Sequence, residues 1–178
     1  MHEINKQTVG DITKMLREFG IRTVSIIDFD FIKEGGKVFT NYLKQNNIPE
    51  TMHSALSDYK SGVYKYFQKN DSSYDKKNSK IKTEGINFLD DIHKMSCEVL
   101  LESLNKYGLF PVPIGEVEAW LPNVTSSRHG NQWLISKLEN MGEDSTSSDY
   151  VRPGDGDVWK FMGDIHKWLY SSSLSGMR

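Results

Sequence analysis

One short run limits the folds open to this chain more than any other. Ile21-Arg22-Thr23-Val24-Ser25-Ile26-Ile27 is β-branched and nearly continuously apolar after Thr23, and it stops at Asp28-Phe29-Asp30. Alternation of apolar and polar residues would signal a strand with one wet face. A continuous run signals a strand covered on both faces, most simply a parallel one between helices. The rest of the punctuation agrees. Val9, Ile12, Met15, Leu16 and Phe19 recur at helical spacing, and Gly20 follows. Val38, Phe39, Tyr42 and Leu43 suggest a second helix after Gly35-Gly36. The best helical pattern runs from Phe88 to Leu104. Leu109–Ile114 is apolar but holds Pro111 and Pro113, which lack the N–H a central ladder needs, so it reads as an edge strand or extended segment. Trp133 to Met141 and Val158 to Leu169 mark two last helices, with Asp157 as the expected cap of the second. Helices alternating with strands in this order predict an α/β layered fold.

The stretch 46–85 shows no strong period and is rich in Ser, Asn, Asp, Lys and Tyr. It reads as a long polar insertion with a short helix near Ser61–Lys69. The chain divides at about residue 122 into an α/β domain, 1–122, and a C-terminal helical extension, 123–178, packed on it.

The 178 residues are 37% hydrophobic and 26% charged, which suits one soluble globular core. No run approaches the roughly 18 apolar residues of a membrane span. The lone Cys97 cannot form an intramolecular disulfide or a thiolate cluster, and it reads as a small core residue. These features predict a cytoplasmic protein. A net charge of −2 excludes whole-protein attraction to nucleic acid, so any such contact needs a local patch.

Asp28 and Asp30 are the most informative acids. On a strand, residues i and i+2 share a side and stand about 7 Å apart. At the C-terminal end of a buried strand they would lie where open α/β sheets bind ligands. A divalent cation, Mg²⁺ or Mn²⁺, would relieve their repulsion. The plainer reading is that either Asp closes a turn or caps a helix. Glu116 and Glu118 follow the second apolar segment. Were the two strands parallel neighbours, all four acids would share one crevice, with Glu118 in the more apolar setting. First-turn helix acids are the ordinary alternative. The lysines 60, 65, 69, 76, 77, 80 and 82 outnumber Asp71 and Asp75 and interleave with tyrosines. That pattern suits a phosphate backbone, although a solvated loop explains it as well. His53, His93, His129 and His166 show no ligand spacing.

The segment Val24–Asp30 resembles the DxD motif of Toprim domains. The stretch Gly108–Leu121, with Gly115-Glu116-Val117-Glu118-Ala119-Trp120-Leu121, is similar to a late G-E-L-E-x-W-L segment of the OLD-type ATP-dependent nucleases of phage defence. The C-terminal run from Asp157 to Met177 resembles the end of the same group. The resemblance implies a Toprim-like, Rossmann-like domain with a mostly parallel sheet. It implies a Mg²⁺- or Mn²⁺-dependent DNA endonuclease with Asp28, Asp30 and Glu118 as metal-binding and catalytic residues. Lys76, Lys77, Lys80 and Lys82 would then contact DNA, and Lys33, Lys37 or Lys82 would assist catalysis. The family's first strand and its glutamate have no counterpart before Asp28. The expectation is therefore a fragment, or a domain dependent on a partner chain such as an ATPase, or an inactive one. The alternative is a non-catalytic interaction module that docks on an ATPase or self-associates.

Overall fold

A computed structural model describes residues 6–74, 76, 79–120, 131–148, 150–152, 154, 156–173 and 175–177. Among the described residues, seven helices and two short strands run in the order α1 (Lys6–Glu18), β1 (Ser25–Ile27), α2 (Gly36–Gln45), α3 (Glu50–Asn70), α4 (Lys80–Thr83), α5 (Asp91–Asn105), β2 (Leu109–Pro111), α6 (Asn131–Met141) and α7 (Asp157–Tyr170), with 3₁₀ turns at Phe29–Lys33, Gly85–Phe88 and Val117–Ala119.

β1 and β2 pair in parallel, Ile27 opposite Pro111. Ser25 and Ile27 point to one face, with Leu109, into the larger core built on Phe31, Leu43, Phe67 and Leu104. Phe110 points to the other, where Phe161, Ile165 and Trp168 of α7 cover it. The strands are parallel, but β1 is not covered on both faces as its apolar run suggests: Ile26, between buried Ser25 and Ile27, is 43% exposed. Here the expected fold class fails. A doubly layered, Rossmann-like fold needs a parallel sheet as its middle layer, but the described residues hold two strands of three residues each. The architecture is mostly helical, with a minimal ladder wedged into it, and the resemblance to a Toprim domain of OLD-type nucleases does not hold.

The polar stretch is also not a loop. Residues Glu50–Asn70 form the longest helix, 21 residues, packed against α5. Its buried stripe is Leu56, Lys60, Val63 and Phe67. Lys60 takes a core position, and its Nζ donates to Glu34 O at 2.7 Å between the Phe39 and Tyr64 rings. No helix among the described residues is long and apolar enough to cross a membrane. Cys97 is buried in the main core, and burial pushes its thiol up to about 12.

Candidate functional site

The ladder ends differently at its two ends. At the N-terminal end a single buried cation, Arg17 of α1, gathers backbone carbonyls. Its Nε donates to Thr23 O (2.9 Å) and its terminal nitrogens to Asn46 O, Gly176 O and Gly108 O (3.1–3.3 Å). The Trp168 ring lies 5.1 Å from the guanidinium. Burial pulls Arg17 down to about 10, which still leaves it charged at neutral pH. The first residues after α1, the end of α2, the start of β2 and the C-terminal segment all meet on this one side chain. Gly176 is left-handed (φ +89°), and a Cβ there would stand 2.7 Å from Tyr107 O and 2.9 Å from Asn46 O. Nothing bulkier fits so close to the cluster.

The C-terminal end carries the acids singled out above. β1 stops at Ile27. Asp28 is extended (φ −66°, ψ 154°), and a 3₁₀ turn then carries Phe29–Lys33. The reason is hydrophobic. Strand alternation would put Phe29 and Phe31 on one face and leave Ile32 on the other with the aspartates. A 3₁₀ turn, which eclipses i and i+3, buries Phe29, Phe31 and Ile32 together, all at 1% exposure or less. Asp28 and Asp30 thus lose the shared strand side that motivated a metal pair.

Lys82 supplies the positive charge at this end. Its Nζ meets Glu116 Oε1 at 2.6 Å, and Glu116 N donates back to Lys82 O at 3.1 Å. The hydrogen bond to Glu116 raises the Lys82 ammonium above its ordinary value, and the charges of Glu116, Asp30 and Asp28 raise it further. All three acids therefore act on one ammonium. The chain brings Lys82 here by a tight crossing. Gly115 (φ +115°) lies so close to α4 that a Cβ would stand 2.0 Å from Lys82 O. Asp71 anchors α4 from the other side, its Oδ2 accepting from Lys80 N at 2.7 Å.

Of the four expected DNA contacts, Lys82 is paired with Glu116 and Lys80 with Glu84. Lys76 is exposed, and Lys77 lies outside the described residues. Glu118 belongs to the 3₁₀ turn Val117–Ala119, but its side chain lies outside the described residues. Sequence reasoning favoured Glu118 over Glu116. The lysine partner that draws Glu116 in stands 34 residues away and leaves no local signal.

Among the described residues, no group of three or more His, Cys, Asp or Glu could hold a metal ion. That overturns the expected Mg²⁺ or Mn²⁺ cofactor, and with it the metal-dependent endonuclease. The physical account is charge balance: a resident ammonium already sits among Asp28, Asp30 and Glu116. No family model, no curated protein and no solved structure matches the chain.

Proposed function

We propose that this chain is a non-catalytic assembly module that pairs with a second copy of itself through the outer edge of β1 and the adjoining flank of α1. The observation that carries this reading is a concentration of large apolar side chains left in water. Ile12, Met15, Phe19, Ile21 and Ile26 are 38–76% exposed, all within the segment from α1 to β1. Isolated exposed apolar residues are ordinary, but five in one short segment point to an interaction surface.

The backbone of β1 supports pairing. Ser25 N donates to Gly108 O and Ile27 O accepts from Val112 N. In a parallel ladder alternate residues carry the bonds, so the N–H and C=O of Ile26 face away from β2. Such an edge is a template for another strand. The outer edge of β2 is not equivalent, because Pro111 has no N–H to offer there. A second copy offers the same edge, so two copies can pair antiparallel about Ile26 across a two-fold axis.

Sedimentation velocity of the purified chain up to ~200 µM tests this. The expected result is a dimer whose dissociation constant rises at least about tenfold in Phe19→Asp and in Ile26→Lys. Met95→Asp, on the separate exposed stripe Ile92, Met95 and Val99 of α5, serves as the control and leaves the dimer intact. A monomer at every concentration, or a dimer insensitive to both α1–β1 variants, overturns the reading.

A further inference from the structure

A cleft of about 480 Å³ opens between the C-terminal half of α3 and the start of α5, lined by Lys65, Tyr66, Lys69, Asn70, Asp90 and His93, with Gly62 at its margin. We propose that it binds the phosphate group of a small phosphorylated ligand, held by Lys65, Lys69 and His93.

The charge pattern is the first argument. Lys65 and Lys69 stand one helical turn apart on one face of α3, and like charges at this spacing repel. Other lysines near this helix are occupied: Lys60 by Glu34 O, Lys80 by Glu84 and Lys82 by Glu116. Among the described residues, no carboxylate lies within ion-pair distance of Lys65 or Lys69. An anion in the cleft relieves their repulsion. The basic character read in this part of the sequence is thus unspent at these two positions and engaged at Lys60, Lys80 and Lys82.

The second argument is the set of His93. Its Nδ1 lies 2.7 Å from Asp90 Oδ1, and Asp90 also accepts from His93 N at 2.9 Å as the cap of α5. The ring rests on Tyr66, centroids 4.5 Å apart. A carboxylate at Nδ1 fixes the proton there in the neutral ring. Nε2 is then an acceptor when the imidazole is neutral and a donor when it is protonated. The charged and titratable groups facing the cleft are Lys65, Lys69 and Tyr66 from α3, and Asp90 and His93 from α5 and its cap. Their sum is +1 with the imidazole neutral, so the cleft keeps a net positive charge.

The third argument is room. The volume lies in the range of small-molecule sites and exceeds what a phosphate alone needs. The Tyr66 and His93 rings offer a wall for a flat group attached to it.

Titration of the full chain with inorganic phosphate and with adenosine 5′-monophosphate, followed by calorimetry and by histidine ring NMR shifts, tests the proposal. Both probes should shift His93, the nucleotide binding more tightly if the wall is used and equally if the phosphate alone is read. Lys65→Gln/Lys69→Gln should weaken binding at least tenfold. Lys76→Gln, a lysine of the same stretch outside the cleft, should leave it unchanged. His93→Gln should weaken binding several-fold. The variants change exposed or half-exposed side chains, and unchanged circular dichroism confirms that they fold. Absence of binding by either probe at ~10 mM, or equal binding by the double lysine variant, overturns the proposal.

Discussion

Two cations close the two ends of one short ladder, and they do so in opposite ways. Arg17, 2% exposed, meets neutral carbonyls and the Trp168 ring. Lys82, about a third exposed, meets carboxylates. A guanidinium suits the first task because its five N–H groups fan out in a plane and reach several chain segments at once. An ammonium suits the second, as a compact charge among acids. Burial makes the first end structural. Partial exposure makes the second a screened charge cluster of modest energy.

Three measurements would break or sharpen this contrast. Arg17→Ala should have the largest effect, a loss of about 3 kcal/mol in urea denaturation, because several buried carbonyls lose their donor together. Arg17→Lys should recover only part of it, since an ammonium cannot span the same acceptors. A loss under about 0.5 kcal/mol would mean that water replaces the guanidinium and that this end is not a hub. At the other end Lys82→Met should cost at most about 1 kcal/mol at neutral pH. Its signature is the pH profile. The folded-state value of Lys82 is raised, so its stabilisation is complete below the ordinary 10.5 and fades as pH climbs through the higher folded value. Tyr42, pushed up to about 12 by burial and by Glu34 and Asp30, fades in the same direction in both proteins. The difference between wild type and Lys82→Met should therefore shrink above pH 10.5, and a constant difference would assign Lys82 a packing role. The smallest expected effect is none. About 5 mM Mn²⁺ should leave the melting temperature of the wild type unchanged, and a rise that Asp28→Asn abolishes would restore a metal to the crevice.

Much of this arrangement was legible. The strand at Ile26, its neighbour at Phe110 and the helices around Leu16, Leu100 and Phe161 all follow from apolar spacing, whereas the exposed face of Ile26 does not. Two things were hidden. The buried stripe of α3 carries Lys60 between Leu56 and Val63, so a charged residue interrupts the period just where the helix is most buried. The long aliphatic stem of Lys60 lies in the core, and the head finds a carbonyl and two aromatic faces. The sequence shows the head and not the stem. The acids after β1 misled for a different reason. Asp28 and Asp30 keep the spacing of a strand pair, but Ile32, four residues beyond Asp28, must also be buried, and that demand converts the backbone to a 3₁₀ turn. For the basic stretch, composition counted lysines without their partners. Only folding distinguishes Lys65 and Lys69 from Lys80 and Lys82.

The parallel ladder also sets an order of events in time. Ser25 meets Leu109 only across the whole of α2, α3 and α5, and each strand contributes three residues. So few backbone bonds cannot repay the closure of so long a loop by themselves. The helices must dock first and hold the two strands in register, after which the ladder closes as a late step. Until it does, the apolar edge of β1 is uncovered on both sides. In refolding experiments, crowding of chains during that interval would compete with closure, so yield should fall with protein concentration more steeply than the stability of the finished fold suggests.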